Sequence, residues 1–314
     1  MPIYALAWGV FLAGILQLLI QVLPLWQINR LPVPKMNMSN SGVKKFFKLI
    51  LPAILAGGII QINLLVDTIF ASFLETGSPT WLYVSDRLIQ FPMGIFAIAI
   101  GTVLLPTLSK YDVDVEKDKF INAIRNGQRF VLFIGIPCLI GLFFCAEDLI
   151  STIFYRGAFS DIDVINSSYS LMIFSFGLPF FMLMKVLTPA FFARKDTKTP
   201  MYVALISLLL NATFNYYFAF VLDYGHVGIA IGSSLAATIS VFILEISLYK
   251  NGFIIVKNIF NIFNLNILLS SICLIIFLYF STSYLDFMKL SQIERIFYLL
   301  LEVLVSIIIY FSAP

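Results

Sequence analysis

Polar positions are so sparse along this chain that long apolar runs, rather than alternating faces, set its pattern. Nine runs stand out, at about 4–28, 47–74, 82–108, 128–147, 166–193, 201–222, 227–249, 262–282 and 296–313. A helix crosses a hydrocarbon core in about 20 residues, and these runs are of that order. A barrel strand needs only about ten alternating residues, so the runs predict helices. Trp8, Trp26 and Trp81 fall near run ends, where an indole prefers the headgroup level. Between the third and fourth runs, DVEKDKFINAIRNGQRF sets Phe120, Ile121 and Ile124 near one side of a short helix, with basic residues around them. That pattern suits a helix lying in the interface, or a plain solvated connector.

Composition makes lipid the solvent. The chain is 60% hydrophobic and 12% charged, with a mean hydropathy of +0.97; a soluble domain carries about 25% charged residues. The net charge of +3 comes without a basic patch, which argues against nucleic acid as a partner. Fifteen Lys and Arg residues fall in the first, third, fifth and seventh connections, against Arg156, Lys289 and Arg295 in the alternate ones. Basic connections stay cytoplasmic, so residue 1 is expected outside and the C-terminus inside. The first run has no basic flank and no small-residue cleavage site, so it does not read as a signal peptide. A first span that starts outside leads to the expectation that further helices precede it.

Two basic side chains stand well inside the runs. Arg87 lies within WLYVSDRLIQFPMGIF, where a buried charge costs about 2.5–3.5 kcal/mol on insertion scales. Two readings stay open: a wet cavity with an anion such as phosphate as partner, or snorkelling to the interface near Trp81. Asp86 points about 100° away from Arg87 and reads as a helix N-terminal charge or a partner for another helix. Gln90 shares the face of Arg87. Pro92 and Gly94 predict a kink. Lys185, between Pro179 and Pro189, is the second charge and a candidate for cavity lining. Glu245 stands close enough to a run end to be interfacial.

A second polar set comprises Asp67, Asn211, Asn215 and Ser233, with the two asparagines four apart on one helix face. One carboxylate with amide and hydroxyl oxygens suits a small monovalent cation. It equally suits an interhelical hydrogen-bond cluster, worth about 0.6 kcal/mol per contact. Cys138, Cys145 and Cys273 lack metal-type spacing and read as small core residues, and the lone His226 reads as structural. No nucleophile–base pair, metal cluster or phosphate loop is spaced for catalysis, so no enzyme is expected.

Taken in order, LPAILAGGIIQINLLVDTIFASFL, SDRLIQFPMGIFAIAIGTVLLPTLSK, FYRGAF, FFARKDTKTP and HVGIAIGSSL strongly resemble the MurJ/MviN family of the multidrug/oligosaccharidyl-lipid/polysaccharide exporter superfamily. The resemblance covers essentially the whole chain. It implies an all-α membrane protein with two six-helix lobes around a central cavity and two further helices. Residues 1–28 then correspond to the last helix of a first lobe, 29–46 to a cytoplasmic linker, 47–250 to the second six-helix lobe, and 251–314 to two helices that groove a polyprenyl tail. The implied activity is flipping of lipid II, an undecaprenyl-pyrophosphate-linked peptidoglycan precursor, across the bacterial inner membrane by alternating access. The chain would be part of a longer or split protein, with a separately encoded first lobe as a possible partner beside membrane lipids. Arg87, with Asp86, Gln90 and Lys185, would face the headgroup. Relatives hold sodium in this part of the second lobe, which makes Asp67, Asn211, Asn215 and Ser233 its counterpart and Na+ a candidate coupling ion. Gln90 stands where many relatives carry glutamate, and Asn215 where a second acid would be expected. The alternatives are a non-transporting fragment, or an exporter of another lipid-linked saccharide or a drug-like cation. The ARKDTKTP segment reads as a structural turn, with Pro200 starting the next helix.

Overall fold

A computed structural model of the chain describes residues 2–28, 41–112, 115–253, 265–284 and 287–312. Its helices are α1 (Pro2–Gln27), α2 (Ser41–Ser72), α3 (Ser78–Pro92), α4 (Ala99–Lys110), α5 (Lys117–Phe144), α6 (Ala146–Phe154), α7 (Asp161–Ala193), α8 (Lys198–Tyr216), α9 (Gly225–Lys250), α10 (Leu265–Tyr284) and α11 (Gln292–Ser312). No strand occurs among the described residues. Among the described residues, seven helical stretches are long and apolar enough to cross a membrane, and the shorter Gly57–Ser72 and Ile267–Thr282 coincide with the remaining two predicted runs. Residues 29–40 of the predicted linker and residues 254–264 lie outside the described residues, and with them Arg30, Lys35 and Lys257 of the basic connections.

The chain divides into two compact units, Met1–Lys48 and Leu49–Pro314. In the first, the apolar side chains of α1 are exposed along its length. The second takes in both the predicted lobe and the last two helices. Its core is built around α7, whose Val164, Leu171, Leu178, Met182, Val186 and Leu187 are fully buried. Lipid is as apolar as leucine, so such helices are held by close packing and interhelical hydrogen bonds rather than by escape from water. Small residues allow the approach. A Cβ at Gly127 or Gly135 of α5 would stand 3.1 Å from Val186 Cγ1 or 3.3 Å from Met182 Sδ of α7. In α9, Gly228 and Gly232 form a small-xxx-small pair against the end of α8.

Three local features differ from the sequence expectations. The basic segment before the fourth run is not a separate interfacial helix. It is the first part of α5, and Phe120 and Ile124 are buried against Leu104, Leu108 and Phe253. The apolar side seen in the sequence meets protein, not the bilayer surface. Second, Trp81 is only 2% exposed rather than presented to headgroups. Its Nε1–H donates to Asp163 Oδ1 at 2.7 Å and its ring meets His226 edge-on at 4.8 Å. Gly77, at φ 110°, starts α3 in the left-handed region and leaves room for that indole. Third, the nine-residue α6 is an element the run pattern did not announce.

The predicted break at Pro92 takes a definite form. Pro92 offers no N–H and its ring crowds the carbonyl one turn earlier, and π-helical turns at Met93–Ile98 follow it directly. A second π-helical stretch, Tyr217–Val221, ends α8. The ARKDTKTP turn is closed by Asp196, which accepts from Thr199 N at 3.0 Å and Thr199 Oγ1 at 2.6 Å.

Trp81→Phe is expected to cost about 1–3 kcal/mol, because it removes a donor from a partly buried carboxylate while keeping an aromatic ring against His226. Thermal unfolding in detergent, compared with Asp163→Asn, measures it. A melting temperature equal to that of the parent would show that the indole hydrogen bond contributes nothing.

Candidate functional site

Asp86, Arg87 and Gln90 form one chain on α3. Gln90 Nε2 donates to Asp86 Oδ2, and Arg87 Nη1 donates to Gln90 Oε1 at 3.3 Å. The sequence reading turned Asp86 away from Arg87, and there is no direct hydrogen bond between them. The amide one turn on joins the two instead. The guanidinium lies over the Tyr83 ring, 4.7 Å from its centroid, a contact worth about 0.5–1 kcal/mol at an exposed site. Arg87 is exposed, while Asp86 and Gln90 are half-buried. A cation is thus presented from an apolar helix while its nearest acid is occupied by an amide.

The second polar set converges as its residue types suggested. Asn215 Nδ2 donates to Asp67 Oδ1 at 2.6 Å and to Asn211 Oδ1 at 2.9 Å. Asn211 Nδ2 donates to Ser233 Oγ at 2.9 Å, and Ser233 Oγ donates to Asp67 Oδ2 at 3.4 Å. Three helices meet here: α2 brings Asp67, α8 the asparagines and α9 the serine. Asn211 and Asn215 are 0% exposed. Gly232 makes the meeting possible, since a Cβ there would fall 2.2 Å from Asn215 Oδ1.

These residues fit a small monovalent cation. The donors are hard oxygens with a single negative charge among them. Hydrogen bonding alone leaves Asn215 Oδ1 buried and unpaired. So does Asn63 Oδ1, one helical turn before Asp67 on α2. Asn63 escaped the sequence reading, although a second amide four residues from Asp67 in an apolar helix carries the same signal as the pair that was noticed.

Lys185 does not join either cluster. Its carbonyl lies beside Gly101, 14 residues after Arg87 and therefore ~20 Å further along the helix. It is half-buried in α7. Glu245, read as close to interfacial, is only 6% exposed and accepts a hydrogen bond from Gln128 Nε2 of α5. It acts as an interhelical tie. His226 Nε2 pairs with Asn166 O at 3.1 Å, a structural contact as expected.

Comparisons with known proteins bear on the family and the fold. The family model described as "Lipid II flippase MurJ" matches residues 1–300. A protein of Vibrio cholerae named "Probable lipid II flippase MurJ" is 43% identical over 251 residues, which is 80% of this chain and 47% of that protein. Among solved structures, a lipid II flippase MurJ in an inward closed conformation is similar with a TM-score of 0.68 at 28% identity, over 91% of this chain and 57% of that one. An outward-facing multidrug resistance MATE family transporter of the MOP superfamily shares the fold at a TM-score of 0.59 and 15% identity, over 75% of this chain and 51% of that one. The chain spans about half the length of the curated relatives it matches. A match that runs through both polar clusters and the long helices carrying them makes this chain a member of the MurJ family.

Proposed function

We propose that this chain provides the second-lobe half of a lipid II flippase of the bacterial inner membrane, with its C-terminus cytoplasmic. The observation that carries the reading is Arg87: an exposed guanidinium on an apolar helix, with no ion pair among the described residues, whose neighbouring acid is held by Gln90. Guanidinium and pyrophosphate match in charge and in bidentate geometry. Arg87 binds the headgroup, with Gln90 and Asp86 fixing its direction. Lys185, deeper along the path, meets the headgroup at another stage of its passage. The polyprenyl tail stays in lipid against α10 and α11, whose Ile272, Ile276, Phe280, Leu300, Leu304 and Ile308 are exposed. A first lobe completes the cavity, and rocking of one lobe against the other moves the headgroup outward. Rescue of cells depleted of their own lipid II flippase, by the protein as its own cells make it, tests the reading. Failure to rescue despite normal membrane levels would overturn it, and so would activity confined to another lipid-linked saccharide.

The same proposal assigns Na+ to Asp67, Asn211, Asn215 and Ser233, with Asn63 as a further oxygen. Sodium would supply a positive charge beside Asp67. A ligand shifts a conformational equilibrium only by its differential affinity for the two states. Closing three helices around one ion provides such a difference. Asp67→Asn keeps the side chain's shape and removes its charge. The expected outcome is loss of the sodium-dependent rise in melting temperature of the purified protein, with potassium as control. A sodium response that survives the substitution would remove the site.

A further inference from the structure

Away from both clusters, three side chains of metal-ligating type, two from one helix joint and one from the last helix, meet inside the protein. Cys145 sits at the joint between α5 and α6, Asp148 in the first turn of α6, and Glu302 near the middle of α11. One ligand atom of each lies within 4.8 Å of the others. All are buried, with Cys145 4%, Asp148 5% and Glu302 3% exposed. Neither carboxylate oxygen of Glu302 receives a well-formed hydrogen bond, although the Ser281 hydroxyl and the Cys145 thiol lie close to it. Asp148 Oδ2 is likewise buried without a donor.

Two carboxylates in that condition call for a positive charge or a shared proton. An unpaired buried carboxylate is among the most costly groups a protein can hold. Among the described residues, the buried cation on the same helix is Arg295, two turns earlier on α11 and ~10 Å away. It is committed elsewhere: Nη1 donates to Ser151 O at 3.2 Å, Nη2 donates to Met288 O at 2.9 Å, and the guanidinium lies over Tyr155. The N-terminal turn of α6 favours an acid at Asp148, but it offers nothing to Glu302.

We propose that Cys145, Asp148 and Glu302 bind a divalent transition-metal cation of the zinc class. A thiolate with two carboxylates gives three anionic ligands of mixed softness, a set that suits zinc better than magnesium or calcium. Zinc–ligand bonds of about 2.0–2.3 Å in a tetrahedron place ligand atoms about 3.5 Å apart. Small rotations about the side-chain torsions therefore close the site, and a water takes the fourth position. The three ligands join α11 to the α5–α6 joint, so the ion would clamp the last helix onto the body of the lobe.

The test uses the detergent-purified protein with Zn2+ and Co2+ as probes and Mg2+ as control. After zinc loading and gel filtration, elemental analysis is expected to find about one zinc per chain. Cys145→Ser and Glu302→Gln are expected to lose it. Cobalt is expected to give a thiolate-to-metal charge-transfer band with the parent protein, which needs no variant to fold. The proposal is overturned if the parent retains no zinc and shows no cobalt band. It is equally overturned if Cys145→Ser and Glu302→Gln retain as much zinc as the parent. An infrared band of a protonated carboxyl group that disappears in Glu302→Gln, in a protein that takes up no metal, would show that Asp148 and Glu302 share a proton instead.

Discussion

Replacing Gly228 with alanine is expected to destabilise the protein by about 3 kcal/mol or more, at the upper end of the range for overpacking. The added Cβ would stand 2.6 Å from Ala219 N and from Phe218 C, and 2.8 Å from Ala219 Cα. All three are backbone atoms of the π-helical stretch that ends α8, so no side-chain rotation relieves the contact. The helices themselves must part. Their separation would also strain the next glycine on that face, Gly232, which packs against Asn215. Gly141→Ala on α5 is the matched control, since nothing lies within 4 Å of its added Cβ. There the ordinary gain of alanine over glycine in a helix, about 0.5–1 kcal/mol, is expected instead. Melting curves in detergent compare the two. Equal melting temperatures would mean that α8 and α9 are not in backbone contact. If Gly228→Ala stays folded, its sodium response is expected to fall with its stability, because the cation donors from α8 and α9 move with their helices.

Much of this architecture is legible in the sequence because lipid imposes one rule on every span. Backbone polar groups must be satisfied internally, so an apolar run of sufficient length becomes a helix. Among the described residues, each of the nine runs is helical over most of its length for that reason. The α6 helix is not legible. AEDLISTIF is too short and too polar to register as a span, and it forms where α7, α11 and the α5 joint cover it. The burial of Trp81 is hidden for a related cause. An indole near a run end suits the headgroup level and a buried hydrogen bond equally well, and only the arrival of Asp163 from 82 residues away decides between them. Phe120 and Ile124 announce an apolar side but not what covers it.

The sites divide along the same line. Asp67, Asn211, Asn215 and Ser233 could be grouped from the sequence as oxygen-bearing side chains inside the spans, with support from the resemblance to a family that holds sodium in this part of the lobe. Asn63 carried that signal and was missed. Cys145, Asp148 and Glu302 carried almost none. Cys145 and Asp148 are three apart at a helix joint, which alone is an ordinary helix start, and Glu302 lies 157 residues beyond Cys145. Spacing rules for metal sites rely on ligands close together in sequence. A site closed by a distant helix becomes visible only when unpartnered oxygens are found in three dimensions.

Arg87→Ala is expected to reduce lipid II transport by roughly 10- to 150-fold while leaving the protein folded. The magnitude follows from losing hydrogen bonds to a charged group, about 1.5–3 kcal/mol at tenfold per 1.4 kcal/mol. Retention of the fold follows from the side chain's surroundings. Arg87 is exposed, its single hydrogen bond to Gln90 is long at 3.3 Å, and its contact with Tyr83 is a surface one. Gln90 keeps Asp86 as a partner after the substitution. Arg87→Lys is expected to fall between parent and alanine, since an ammonium keeps the charge but cannot engage two phosphate oxygens with a planar fork. Gln90→Leu gives a third point. It frees Asp86 to approach the guanidinium directly, and an acid that competes with the pyrophosphate should weaken transport without altering the charge of the path. Growth of flippase-depleted cells, normalised to membrane protein levels, ranks the variants. Alanine at 87 supporting growth like the parent would show that this guanidinium is tolerated in the helix for a reason other than the headgroup. Arginine and lysine proving equivalent would leave charge, but not bidentate recognition, as what the position supplies.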